Sequence, residues 1–523
     1  MPAGNIEEIS VRGNDRILQT QPKITPARVA SWKITLAFCL AGILSRWSLR
    51  GRLLYDPESA SLAFAAAHLD RGGVPASTGA LFIALGRQLM PLLGSPEAAF
   101  SAMSAAASGL AIAALYLLGV ALFGEIAGIL AAALLMTSPL FWFYGAVGLP
   151  YACDALIAIV AAWLCWPVAR GYGRYLLPLA LWLALAGGLR PWTALALLPL
   201  ALFAAWRAFH VESMRPAQLI GSILAGGALS MALLLPPAPH LAELFGFEHG
   251  SPIALGLANP LGNLARLGQA LTWGWALAAL PALGTLSLWA LGVPGFLGRD
   301  GRWGWLHDER IQFLGIWAAP WLLFAMLLGI EAPGQIAICL PILMLWSAAT
   351  LVRFITVGVR RMAIVATALI ILGNAALFLV VAERPSFASG QRLLSAATIA
   401  NHDRRLAAAI TAIRGFSSSE TVILAVEWQP LGYYLPKYTL IPYDHTPDDQ
   451  TSSPVDLTAD QRAAVRHAAA LIWFEPALDR YNIAPSETEF QPMAAGTLRV
   501  LRSQRAEELV VGDDSFGLRI KRR

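Results

Sequence analysis

The sequence predicts an α-helical protein that crosses the membrane many times and carries a small α/β unit at its C-terminal end. Three observations predict it. Of the 523 residues, 57% are hydrophobic and only 14% are charged, against roughly 25% in an ordinary soluble domain. Mean hydropathy is +0.58. The charges are also segregated, because residues 384–523 hold 32 of the 71 charged side chains, 16 of each sign. This composition excludes a soluble enzyme, a disordered chain and a fibrous repeat. The net charge of +5 comes from scattered arginines. No basic and aromatic stripe suited to nucleic acid appears.

A helix needs about 20 apolar residues to cross the hydrocarbon. Apolar runs predict about eleven spans, at 33–49, 98–123, 125–144, 150–169, 175–189, 191–209, 217–236, 271–291, 311–330, 334–353 and 362–382. The pair 175–189 and 191–209 reads either as two spans or as one long segment kinked at Gly187-Gly188-Leu189-Arg190-Pro191. Residues 1–32 are polar and moderately basic, so the first apolar run reads as an uncleaved anchor.

Lys and Arg in short loops orient the chain. With the N-terminus inside, cytoplasmic loops receive Arg170/Arg174, Arg207/Arg215, Arg299/Arg302/Arg310 and Arg353/Arg360/Arg361. The opposite loops at 145–149, 237–270 and 331–333 hold only Arg266. This predicts a cytoplasmic segment 1–32, a transmembrane domain 33–383 and an extracytoplasmic α/β domain 384–523.

The loop 46–97 breaks the rule, since it falls outside yet carries Arg46, Arg50, Arg52, Arg71 and Arg87. Either the topology is wrong or the loop handles an anion at the membrane surface. It is also structured. Asp56-Pro57-Glu58-Ser59 reads as a helix start, with Asp at the N-cap and Pro at the first helical position. Leu62, Ala65, Ala66 and Leu69 follow at helical spacing, which suits a helix lying in the interface. After the turn Arg71–Pro75, residues 79–93 form a second short apolar helix.

Beyond Glu383 the pattern becomes that of a small α/β unit. Strands are predicted at Thr421–Trp428, Tyr438–Tyr443, Leu471–Phe474, Thr497–Leu501 and Leu509–Val511. Helices are predicted at Pro430–Leu435 and Asp460–Ala470. No phosphate loop, metal cluster or nucleophile motif appears there, which favours an accessory or recognition role. The four cysteines (Cys39, Cys153, Cys165, Cys339) all sit in apolar runs without ligand spacing and read as buried thiols.

Carboxylates are scarce in the membrane part, so each is a candidate. Asp154 lies near the outer end of an apolar span, where an ionisable group is costly; it is either functional or a snorkelling cap. Asp56 is explained by capping alone, or acts as a general base at the membrane surface. Glu58 shares that role or only favours the helix dipole. Arg190 is an interfacial turn residue or a phosphate ligand, since a guanidinium suits bidentate phosphate binding. Gln335 is an ordinary loop exit or a hydrogen-bond partner for a polar head group.

These residues resemble a known class. A span followed by Tyr55-Asp56-Pro57-Glu58-Ser59, then Val74-Pro75 and GALFIALGRQL, is similar to the membrane glycosyltransferases of the GT-C class. So are Pro150–Ala155 after Ser138–Trp142, the Arg after Gly187-Gly188, and Pro333-Gly334-Gln335 running to Leu340-Pro341-Ile342. The class includes protein O-mannosyltransferases and the aminoarabinose and mannosyl transferases of bacterial envelopes.

The resemblance covers about residues 33–382 and implies a GT-C-like fold. It also implies an inverting transfer of a sugar from a polyprenyl-phosphate donor to an envelope acceptor at the outer membrane face. Asp56 would be the base, with Glu58 and Asp154 as further catalytic candidates. Arg190, Arg52, Arg71 and Gln335 would bind the donor phosphate or substrate. Here Pro57 separates the two acids that are commonly adjacent in the class, and Pro75–Gly79 replaces its usual proline-rich stretch. No cofactor is indicated. Metal dependence varies in the class, which leaves room for a divalent cation, but no ligand set is legible. Two competing readings are a transporter or flippase of a lipid-linked sugar and a non-catalytic envelope scaffold.

Overall fold

A computed structural model describes residues 31–67, 80–210, 216–234, 262–263, 267–268, 308–328, 333–356, 360–383, 394–418, 421–424, 428–442, 470–474, 490–492, 498–502, 509–511 and 518–520. The N-terminal part is helical: α1 Ser31–Trp47, α2 Pro57–Ala67, α3 Ala80–Leu93, α4 Pro96–Phe123, α5 Glu125–Thr137, α6 Pro139–Ala146 and α7 Tyr151–Ala169. It continues through α8 Leu176–Leu189, α9 Pro191–His210, α10 Pro216–Leu234, α11 Glu309–Leu328, a 3-10 turn Pro333–Ile338, α12 Leu340–Thr356 and α13 Arg360–Leu379. Two helices follow among the C-terminal elements, α14 Ala396–Arg414 and α15 Trp428–Tyr434.

The long helix α4 is the centre of the bundle and packs against α1, α3, α5 and α7. Its start is set by Ser95, whose Oγ accepts from the Ala98 amide at 3.3 Å, with Pro96 in the first turn. Close approach of α1 needs glycine at position 109. A Cβ there would lie 2.5 Å from the Cys39 carbonyl oxygen. Apolar side chains from α4, α6 and α7 fill the core, with Tyr116, Phe141, Phe143 and Ile157 almost fully buried.

The span expectations hold in part. Among the described residues, four helices are long and apolar enough to cross a membrane: Pro96–Phe123, Tyr151–Ala169, Pro191–His210 and Arg360–Leu379. A fifth arises if α5 and α6, bent by 61° at Ser138-Pro139, count together. Other apolar helices, such as Leu340–Thr356, are shorter than a full span. The predicted span 271–291 lies outside the described residues, as does Arg71. The ambiguous pair resolves into two helices. Arg190 is the break, with extended backbone at φ −148° and ψ 92°, as the following Pro191 favours.

Two arginines of the anomalous loop are used structurally. Arg46 is fully buried, donates to the Met136 carbonyl at 2.7 Å and faces the Phe141 and Trp142 rings. It therefore caps the C-terminal carbonyls of α5 at the helix break. The Arg50 guanidinium stacks over Trp47, 3.8 Å from the ring centroid.

At the C-terminal end the strands are β1 Thr421–Leu424, β2 Thr439–Pro442, β3 Ala470–Phe474, β4 Phe490–Pro492, β5 Leu498–Arg502, β6 Leu509–Val511 and β7 Leu518–Ile520. The first five form one sheet in the order β2-β1-β3-β5-β4, with β1 parallel to β2 and β3. β5 runs antiparallel to β3 and β4. The predicted strand over 421–428 stops at Leu424, and α15 already begins at Trp428. Pro430 lies in the first turn of α15, where a missing N–H costs nothing. The predicted helix 460–470 lies outside the described residues except for Ala470, which starts β3.

Sequence reading did not anticipate α14. Ser395 caps it by accepting from the Thr398 amide. Ile399, His402, Leu406, Ala409, Ile410 and Ile413 recur at helical spacing as its buried face. One link back toward the bundle is an ion pair, Arg405 Nη1 to Glu383 Oε2 at 2.7 Å, with Arg405 only 3% exposed.

Candidate active site

Side chains at the N-terminal ends of α2, α7 and α9 meet at one end of the bundle. The start of α2 is a reciprocal cap. The Ser59 amide donates to Asp56 Oδ1 at 2.8 Å, and the Asp56 amide donates to Ser59 Oγ at 2.9 Å. This is the capping-box logic with Asp at the cap, and it fixes the direction in which α2 leaves the loop.

Glu58, two residues later, reaches α7. Tyr151 Oη donates to Glu58 Oε2 at 2.7 Å. Tyr151 and Asp154 stand three apart on α7 and so share a face. Arg190, at the α8–α9 break, joins the two acids. Its Nε donates to Asp154 Oδ1 at 3.1 Å, and its Nη1 donates to Glu58 Oε1 at 3.3 Å. Thr193, in the first turn of α9, donates to Asp154 Oδ1 at 2.5 Å. Asp154 is only 2% exposed, so its charge is carried by that guanidinium and hydroxyl.

Aromatic rings wall the cluster. The Arg190 guanidinium lies 5.4 Å from the Tyr151 ring centroid, and Tyr144 packs edge-on against Tyr151 at 4.9 Å. Gly334, in the 3-10 turn, seats against both rings. A Cβ at 334 would lie 2.5 Å from Tyr151 Cδ2 and 2.9 Å from Tyr144 Cε1. We expect Gly334→Ala to displace Tyr151 and loosen Glu58, lowering activity more than stability. Assay of turnover beside the thermal midpoint checks this.

Asp56 differs from its neighbours. Its carboxylate accepts from the Ser59 amide, while its backbone carbonyl accepts from Ser59 Oγ and the Ala60 amide. Its carboxyl is pushed up to about 6, chiefly by burial and further by the charge of Glu58, while bonds from Ser59 pull the other way. Asp56 is therefore the acid not committed to Arg190.

The structure brings Glu58, Asp154 and Arg190 together as one ion-paired cluster. The sequence reading singled out all three but not the link between them. Asp56 sits one turn of backbone from Glu58. Gln335 follows Gly334, half-buried in the turn that packs on Tyr151. Arg52 is exposed, and its backbone amide is held by Asp403. Sequence reasoning missed Tyr151 and Thr193. Each lies three residues from a residue it did select, Tyr151 on the same face of α7 as Asp154 and Thr193 in the first turn of α9 after Arg190. Among the described residues no three His, Cys, Asp or Glu side chains converge to hold a metal ion.

No family model matches the chain, and no curated protein matches its sequence. Solved structures do. ArnT from Cupriavidus metallidurans bound to undecaprenyl phosphate superposes with a TM-score of 0.54 at 11% identity, covering 91% of this chain and 98% of that one. ArnT from the same organism in the apo state gives 0.53 at 13% identity, covering 90% and 98%. The chain therefore shares the fold of these proteins, in line with the GT-C-like architecture expected from the sequence.

Proposed function

We propose that this protein transfers a sugar from a polyprenyl-phosphate donor to an envelope acceptor at the outer face of the membrane, with Asp56 as the general base. One observation carries the reading: the half-buried Asp56 carboxylate, not engaged by Arg190, stands on a capped helix start beside an Arg190-centred cluster. The shared fold supports it, because one neighbour binds undecaprenyl phosphate.

The chemistry follows from the geometry. A lipid-linked donor is amphipathic, so its reacting carbon lies at the bilayer edge. Asp56 takes the proton of the acceptor hydroxyl. The acceptor oxygen forms the new bond to the anomeric carbon from the side opposite the phosphate. The bond from that carbon to the phosphate oxygen breaks, and its electron pair leaves with the phosphate, so configuration inverts.

Glu58 and Asp154 are tied to Arg190 and serve best as positioning groups. Arg190 lends positive charge near the developing phosphate. Arg52, Arg71 and Gln335 remain candidates for holding the donor. The C-terminal segment serves recognition rather than chemistry.

The test uses full-length protein in nanodiscs, given radiolabelled polyprenyl-phosphate sugars and a membrane extract. Wild type, Asp56→Asn and Asp154→Asn are compared. Labelled acceptor formed by wild type and lost in Asp56→Asn supports the reading. In sealed proteoliposomes, label crossing the bilayer without covalent transfer overturns it in favour of a flippase.

A pH profile adds a second check. With its carboxyl at about 6 instead of the ordinary 3.8, Asp56 is protonated below that value and cannot accept a proton. Activity is expected to rise with slope one as pH rises through about 6. A limb near 4 would mean that the titrating carboxylate is not raised, and loss of the limb in Asp56→Asn would identify it as Asp56.

A further inference from the structure

The segment just before Asp56 has no regular secondary structure, yet its backbone is bonded almost residue by residue. The Gly51 amide donates to the Ala146 carbonyl at 3.0 Å. Asp403 accepts from two consecutive amides, Arg52 at 2.8 Å and Leu53 at 3.1 Å. Tyr434 Oη accepts from the Leu54 amide at 3.0 Å and donates to Glu97 Oε1. His402 Nε2 bonds the Leu54 carbonyl at 3.1 Å, and its ring packs on Tyr55 at 4.6 Å.

Three consecutive amides and one carbonyl are thus held by side chains from α14 and α15. His402 is 3% exposed, and Leu54 is also 3% exposed. A loop tied only by its own turn would not recruit partners so far along the chain. The buried backbone of Leu54 must find partners in an irregular segment, and distant side chains supply them, as Asp403 does for the more exposed Arg52 and Leu53 amides.

The geometry points to Asp403 and Tyr434 as positioning residues for the transfer reaction, acting by fixing the backbone of residues 52–54 and so the placement of the Asp56 carboxylate. This inference rests on the reading of Asp56 as the base. It gives the C-terminal segment a part in turnover that its lack of catalytic motifs did not suggest. Neither residue touches the reacting atoms. Their effect passes through the loop, which leads straight into the α2 cap.

The test compares wild type, Asp403→Ala, Asp403→Asn, Tyr434→Phe and Asp56→Asn as full-length protein in nanodiscs. Tyr434→Phe removes one oxygen and keeps the ring, which guards against a variant that fails to fold. Two readouts are taken: amide hydrogen exchange over residues 51–56, and kcat and KM for the polyprenyl-phosphate sugar that supports transfer in wild type.

We expect exchange over 51–56 to quicken about tenfold or more in Asp403→Ala and Tyr434→Phe. We expect kcat to fall up to about 100-fold, as misplacement of a catalytic group does, with donor KM within about twofold. Asp403→Asn, which keeps an acceptor oxygen, should recover part of both. If Asp56→Asn is inactive while Asp403→Ala and Tyr434→Phe keep full kcat, the positioning role is overturned and the base stands. Unchanged exchange, or a rise in KM at constant kcat, also overturns it. If Asp56→Asn is fully active, the base reading fails and this inference falls with it.

Discussion

Asp56→Asn should lose about 100- to 10,000-fold in kcat, the usual contribution of a positioned general base. The substitution is nearly isosteric, and the Asn Oδ1 can still accept from the Ser59 amide that now bonds Asp56 Oδ1 at 2.8 Å. The α2 cap therefore survives, and the thermal midpoint should move little. What disappears is the ability to take a proton. Glu58→Gln should act differently. It loosens the bonds from Tyr151 and Arg190, so its loss should appear with a fall in stability. A variant of Glu58 that is inactive but fully stable, beside an active Asp56→Asn, would exchange the roles of the two acids.

The second large effect concerns Arg190→Ala. Removing the guanidinium leaves Asp154, 2% exposed, with Thr193 as its side-chain donor among the described residues, and Glu58 with the Tyr151 hydroxyl. Breaking one side of a buried ion pair costs about 3–5 kcal/mol. Asp154→Asn should cost less, because Arg190 keeps its bond to Glu58. The double variant should recover part of the loss, since neither partner then remains buried and charged alone. Thermal unfolding of the four proteins in one detergent closes the cycle. Strict additivity would mean that the pair contributes no coupling.

Much of the site was legible because charge is rare in this chain. Asp56, Glu58, Asp154 and Arg190 stand out against apolar surroundings, and Asp56-Pro57 announces a helix start by itself. Their union was not legible. Residues 58, 154 and 190 meet only because α2, α7 and the α8–α9 break converge, and no spacing rule spans such separations. Arg46 was misleading for a related reason. Counted as a loop cation, it suggested anion handling, but the structure buries it against the α5 carbonyl end. Tyr151 was within reach of the three-residue helical rule, and Thr193 lies in the first turn after the Arg190 break.

The fold shows the same division. The two short helices after α1 and the break at Arg190 follow from local signals, namely proline, glycine and apolar period. The helix α14 carried such a signal too, in Ser395 followed by Ile399, His402, Leu406 and Ile413. It was hidden because its buried face includes a histidine and an arginine. Their partners, the Leu54 carbonyl and Glu383, lie at distant points of the sequence.

The bond between the Arg52 amide and Asp403 joins residues 351 positions apart. That separation has a consequence for biosynthesis. Chains grow at about 5–20 residues per second, so roughly 20 to 70 seconds pass between synthesis of the loop and synthesis of the helix that grips it. During that interval the apolar helices up to α13 can pack together, but residues 52–54 wait without their lasting partners. The stretch leading into the acidic helix start therefore lacks these side-chain partners until the last quarter is made. A ribosome-released fragment ending before residue 396 would lack every side chain that grips residues 52–54, and faster amide exchange there would report it.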